Sequence, residues 1–225
     1  MALILNIETS TEVCSVALAK DGTVQRIYEE DKQNHASGLS VMIERLFHDS
    51  GVLLSSLDAV AISAGPGSYT GLRIGTATAK GLCYALEKPL IAINSLHSLA
   101  ANAIRECPSV SLYCPVIEAR KSEIYYGLYN SDGVMIRPPD AIVITDQFLN
   151  SYIKNHKVLI TGKNVSKYSP MWKHENIIFR KTTLPSASWM CTLTETWYHH
   201  KRFSDLLSFE PYYLKPAYII SSLNQ

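Results

Sequence analysis

No stretch of the sequence reaches the roughly 18 consecutive apolar residues that a membrane-spanning helix needs. The opening Met1-Ala2-Leu3-Ile4-Leu5-Asn6 has no basic residue ahead of its apolar run and meets Glu8 at once, so it reads as a strand and not as a secretory leader. Large charge of either sign is missing too: 21 Lys and Arg stand against 20 Asp and Glu, a net charge of +1. A protein that holds nucleic acid unaided usually carries a basic excess, so any RNA contact is expected to depend on a partner. The five cysteines, Cys14, Cys83, Cys107, Cys114 and Cys191, are odd in number and form no CxxC. That pattern fits buried thiols in a reducing cytoplasm. The seven histidines include no HxxxH or HExxH; His174-Glu175 begins the second pattern, but Ile178 stands where the second ligand belongs. No metal site is expected.

What is present is the make-up of a folded globular chain. Hydrophobic residues account for 47% and charged ones for 18% of 225 residues, enough for one large or two small domains. Alternation predicts strands over residues 2–7, 12–19 and 23–30. A helix over 36–50 follows, with Leu39, Met42, Ile43, Leu46 and Phe47 at helical spacing and Gly51 after its last turn. Then come a strand over 58–63, a glycine-rich segment, a helix to about residue 86, a strand over 89–93, and a helix over 95–106 with Ser95 as its N-cap. The order starts again with strands over 111–117, 123–129 and 134–137. A helix over 145–154, a strand over 156–161, a short helix over 164–168, a strand over 177–179 and a helix over 186–200 complete it. The expected fold is therefore α/β, two lobes of duplicated βββαβαβα order, over residues 1–107 and 108–225, with a cleft between them. The tyrosine-rich tail from residue 209 is expected to pack on one of the lobes, with the first as the candidate.

The strongest local signal is Ser63-Ala64-Gly65-Pro66-Gly67-Ser68-Tyr69-Thr70-Gly71-Leu72-Arg73-Ile74-Gly75. A strand feeds a glycine-rich turn and a helix begins. Unpaired backbone N–H groups and the helix dipole favour an anion at such a point. Gly65 and Gly67 let the backbone approach a phosphate, Ser68 and Thr70 can cap the helix or bind an oxyanion, and Arg73 adds charge. The segment is neither a Walker A loop nor G-x-G-x-x-G. A tight structural turn explains the same glycines, and both readings stay open. Gly71, Gly75 and Ala79 recur four apart, a small-residue helix face that suits close packing or docking.

Glu8 ends the first strand beside the hydroxyls of Thr9, Ser10 and Thr11, where it can position a metal-bound phosphate or a water, or simply sit in a solvated hairpin. Arg120 and Lys121 can line the cleft or serve as ordinary turn charges. The wide apolar stripe of the helix over 36–50 signals deep burial or an intermolecular contact. Ser68 lies in no G-x-S-x-G elbow, and no catalytic residue is assigned.

Together Ile4-Leu5-Asn6-Ile7-Glu8-Thr9-Ser10, Cys14-Ser15-Val16-Ala17-Leu18, residues 64–75, Ile117-Glu118-Ala119-Arg120 and Glu210-Pro211-Tyr212-Tyr213-Leu214 resemble the bacterial TsaB proteins, also called YeaZ-type or M22 peptidase-like and glycoprotease-like. The resemblance implies the two-lobed actin-like ATPase fold shared by acetate kinase, sugar kinases, Hsp70 and actin. It implies a cytoplasmic, non-catalytic part in making N6-threonylcarbamoyladenosine in tRNAs that read ANN codons. The partners implied are a catalytic TsaD-like subunit, a TsaE-like ATPase and a second copy of the chain, with tRNA met only through the complex and no membrane. The implied interface uses the two outer helices of the first lobe, through Leu39, Met42, Ile43, Leu46, Gly71, Leu72, Gly75, Thr76 and Ala79. Ligand or phosphate contacts would fall to Glu8, Thr9, Ser10, Gly65, Gly67, Ser68, Thr70, Arg73 and Arg120. Glu8 and Glu118 stand where the family commonly has Asp, and Ser10 where nucleotide-using relatives commonly have Gly. No cofactor is therefore expected for the chain alone, and ATP or ADP only at a complex interface. The alternative is a stand-alone phosphotransferase or M22-like peptidase.

Overall fold

The structure, a computed structural model, describes residues 2–31, 35–120, 122–181 and 184–215, without the side chains of 31, 35–37 and 181. The first half runs β1 (Leu3–Glu8), β2 (Val13–Lys20), β3 (Thr23–Asp31), α1 (His35–Ser50), β4 (Ala59–Gly65), α2 (Tyr69–Leu86), β5 (Leu90–Asn94) and α3 (Ser95–Glu106). The second runs β6 (Leu112–Arg120), β7 (Glu123–Asn130), β8 (Met135–Val143), α4 (Asn150–Ile153), β9 (Val158–Gly162), a 3-10 turn (Val165–Tyr168), β10 (Ile177–Lys181) and α5 (Ala187–His199). The sheets have the same topology, β3-β2-β1-β4-β5 and β8-β7-β6-β9-β10. In each, an antiparallel three-strand meander is extended by two parallel strands.

Strands β1 and β2 are buried along nearly their whole length, because helices cover both faces of their sheet. On one face Leu39, Met42 and Leu46 of α1 and Ala79 of α2 meet Leu5, Ile7, Val16 and Leu18. On the other, Met190 of α5 meets Ile4, Ala59, Ala61 and Ile91. Helix α3 packs Leu96, Leu99 and Ala100 on Ile117, Tyr125 and Tyr129 of the second sheet, and also touches α5. The molecule is thus a stack: α1 and α2, first sheet, α5 and α3, second sheet, then α4 with the 3-10 turn. Helices α3 and α5 fill the middle layer, and α5, late in the chain, rests on the first sheet.

Three local expectations change. The cap of α3 is Asn94, whose Oδ1 accepts from Leu96 N–H at 2.9 Å and His97 N–H at 3.3 Å; Ser95 is already helical and fully buried. The helix expected over 145–154 is only Asn150–Ile153, because Leu149 takes a φ of 66° and Trp172 Nε1–H donates to the Thr145 carbonyl at 2.7 Å. Strand β8 runs on through Pro138 and Pro139, which an edge strand tolerates because one side of its backbone needs no ladder partner.

Candidate functional site

The β1–β2 hairpin and the glycine-rich segment are built against each other. Ser68 N–H donates to the Ser10 carbonyl at 2.6 Å. Thr9 N–H donates to Ser63 Oγ at 3.2 Å. A Cβ added to Gly67 would lie 2.1 Å from the Ser10 carbonyl oxygen, one on Gly71 2.1 Å from that of Thr9, and one on Gly75 2.2 Å from Thr9 Oγ1. Glycine is required here by close approach of the chain's own hairpin. At the start of α2, Ser68 Oγ accepts from Gly71 N–H, so that the first N–H groups are partly spent within the protein. The side of the loop where a Cβ would project at these three glycines is filled by the Thr9–Ser10 segment of the hairpin.

Glu8 is fully buried. Its Oε1 accepts from Ser10 N–H at 2.6 Å. Burial raises its pKa above the usual 4.5, against the lowering effect of the neighbouring Ser10, Ser63 and Thr9 polar groups. Glu8 Oε2 and the hydroxyls of Thr9, Ser10, Thr11 and Thr76 are buried without a hydrogen-bond partner. Of the other expected site residues, Thr70 and Arg73 are exposed on α2, with the Arg73 guanidinium 4.2 Å from the centre of the Tyr69 ring. Arg120 is exposed at the end of β6; Lys121 lies outside the described residues. Glu118 pairs with Lys167 and accepts from the Tyr168 hydroxyl at 3.4 Å. Among the described residues no group of three acidic, histidine or cysteine side chains is placed to hold a metal ion. None of the described helices is long and apolar enough to cross a membrane.

The nine residues expected at an interface are all buried inside the chain: Leu39, Met42, Ile43, Leu46, Gly71, Leu72, Gly75, Thr76 and Ala79. Their spacing marks the core face of α1 and α2, and that face has no surface to offer a partner. The outward faces are different. On α1, Val41 is 61% exposed. On α2, Ala77, Gly81, Tyr84 and Ala85 are exposed, Tyr84 at 78%, and a Cβ on Gly81 would meet open space.

The tail carries residues that sequence reasoning left without roles. Lys80 Nζ donates to the carbonyls of Leu207 and Phe209 at 3.1 and 3.2 Å. Tyr212 N–H donates to the Ala64 carbonyl at 2.7 Å, and the Tyr213 ring lies 4.9 Å from that of Tyr69. Leu214 packs with Ile117 and Tyr125, and Lys215 pairs with Glu123 at 2.6 Å. Residues 209–215 therefore strap the glycine-rich loop of the first half to the β6–β7 hairpin of the second. A second bridge joins Glu12 to Lys163. The expectation of one lobe is corrected to both; the tail beyond residue 215 lies outside the described residues.

A family model, TsaD (tRNA N6-adenosine threonylcarbamoyltransferase), matches residues 23–188. The Bacillus subtilis tRNA threonylcarbamoyladenosine biosynthesis protein TsaB is 32% identical over 75% of this chain and 74% of its own. The chain belongs to the TsaB family. Its likeness to the family is nearly end to end: the Haemophilus influenzae TsaB is 29% identical across 94% of this chain and 93% of that one. The solved YeaZ from Pseudomonas aeruginosa, 28% identical, superposes with a TM-score of 0.79 over 95% of this chain and 100% of that one. Beyond the family the fold alone is shared, as with the activator of 2-hydroxyisocaproyl-CoA dehydratase from Clostridium difficile, at 10% identity and a TM-score of 0.52 over 90% of this chain and 98% of that one. The architecture is the two-lobed α/β fold expected from the doubled element order, and it agrees with the actin-like fold that the resemblance implies.

Proposed function

We propose that this chain is a non-catalytic scaffold subunit for making N6-threonylcarbamoyladenosine in tRNAs that read ANN codons, paired with a TsaD-like catalytic subunit and joined by a TsaE-like ATPase. The observation that carries this reading is the closed glycine-rich loop: the Ser68 N–H is spent on the chain's own hairpin and the Ser68 hydroxyl oxygen on the Gly71 N–H of the helix cap. Four of the five thiols are buried and offer no alternative nucleophile. Burial raises Cys83 to about 11, Cys14 and Cys191 to about 12, and Cys114 further still, so all four stay protonated at neutral pH.

Pairing with the catalytic subunit, and with a second copy in its absence, uses the outward face of α1 and α2 around Val41, Ala77, Gly81 and Tyr84. Small side chains there let a second helix come close, and apolar contact contributes about 25 cal/mol per Å² before association costs. ATP or ADP, where used, binds at the interface of the complex. The test mixes the chain with its TsaD-like counterpart and the ATPase, then measures co-elution and tRNA modification. The expected result is co-elution that is lost in Ala77→Arg and Gly81→Leu with the fold intact. Failure of the folded wild-type chain to bind the counterpart, or modification at full rate without it, refutes the scaffold role.

A further inference from the structure

The net charge of +1 hides an uneven distribution. Between residues 150 and 181 there are seven Lys or Arg and one acid, Glu175. Three of these cations are neutralised within the chain: Lys163 by Glu12, Lys167 by Glu118 and Arg180 by Glu106. Lys154, Lys157 and Lys173 are exposed and make no ion pair among the described residues. The fold brings these three together. Lys154 and Lys157 precede β9, Lys173 precedes β10, and the two strands are parallel neighbours with Val158 opposite Ile177. Val158 N–H donates to the Asn176 carbonyl at 2.8 Å, and Asn176 Nδ2–H donates to the Ile153 carbonyl at 2.8 Å. These bonds staple the two loops side by side at one end of the second sheet, with exposed His156 and His174 beside the lysines.

We infer that this basic end of the second sheet is a contact surface for the phosphate backbone of RNA. The inference rests on the proposed place of the chain in a tRNA-modifying assembly and names the part of the chain that meets the tRNA. Clustered lysines that outnumber the single acid beside them, Glu175, are the footprint of backbone binding, which gains from counterion release and reads no sequence. The cluster belongs to the sheet at the far side of the stack from α1 and α2, so a partner seated on that helix face leaves it open. A surface of this size binds weakly alone, in keeping with the near-neutral chain, and adds to contacts made by the partner.

The experiment titrates a tRNA transcript that reads an ANN codon against the complete assembly, following fluorescence anisotropy between about 50 and 200 mM salt. It compares the wild-type chain with Lys154→Gln/Lys157→Gln/Lys173→Gln and with the control Lys20→Gln/Arg26→Gln, which removes exposed cations from β2 and β3. The triple variant is expected to bind tRNA about tenfold or more weakly at the lower salt, and to flatten the dependence of log K on log salt by about one unit per lysine in contact. Co-elution with the TsaD-like subunit stays unchanged. Wild-type affinity and slope in the triple variant, or an equal loss in the control, overturns the inference. If the wild-type assembly forms and modifies tRNA while the triple variant binds normally, only the inference fails; if the wild-type assembly does not form, the scaffold reading fails first.

Discussion

The amide of Ser68 donates to the carbonyl of Ser10 at 2.6 Å, across 58 residues of sequence. One bond joins the turn of the first hairpin to the N-cap of α2, and the glycines around it let the two backbones touch. The glycines of the most distinctive motif in the chain are thereby turned inward, and the face of the same helix left exposed is the opposite one.

Gly75→Leu should destabilise the chain itself. Its first added carbon falls 2.2 Å from Thr9 Oγ1 and 2.8 Å from Ile62 Cδ1, so hairpin and helix must part. Overpacking of this kind costs about 3 kcal/mol, or roughly 6 to 12 °C in melting temperature for a chain of this size. Gly81→Ala, further along α2 and on its exposed face, should instead raise stability by about 0.5 to 1 kcal/mol. Thermal denaturation of both variants checks the contrast; equal melting temperatures would contradict it.

Glu8→Gln should be more stable than the parent chain at neutral pH and lose that advantage in acid. The folded pKa of Glu8 lies above the usual 4.5, mainly through burial. A raised acid favours its protonated form in the folded state. Its contribution is complete below the unfolded pKa and declines as pH rises through the folded pKa. The amide keeps an acceptor for Ser10 N–H and carries no charge to bury. Denaturant melts at pH 4 and pH 8 should show the gap between the two proteins opening toward pH 8.

Asn94→Ala should cost about 1 kcal/mol, because Leu96 and His97 lose the acceptor that caps α3. Ser95→Ala should cost less, since the Ser95 hydroxyl is buried without a partner. Urea titration separates the two, and a larger loss in Ser95→Ala would return the cap to Ser95.

Ending the chain after Ser208 should loosen the joint between the halves without unfolding either sheet. It removes the Tyr212–Ala64 hydrogen bond, the Tyr213–Tyr69 contact and the Lys215–Glu123 pair. Amide exchange should quicken in the glycine-rich loop and in the β6–β7 hairpin, and change little in β1 and β9. Uniform quickening throughout would mean that the tail holds up the whole fold.

Composition and periodicity determined the element order, because alternation in strands and the helical recurrence of Leu39, Met42, Ile43 and Leu46 follow from which faces must leave water. The doubled βββαβαβα order, and with it the two-lobed fold, was legible for that reason, as was the family, through motifs spread along the chain. Tertiary structure alone decided where each face was spent. Periodicity marks a buried face without naming its cover, so Gly71 and Gly75 read as a docking stripe until Thr9 was seen against them. Asn94 outranked Ser95 as cap by one residue of backbone geometry, and β8 ran through two prolines because it lies at a sheet edge. The tail strap, and the meeting of Lys154 and Lys157 with Lys173, depend on contacts between distant segments. No local pattern encodes those, since they arise only once two sheets and their connecting loops are packed into one stack.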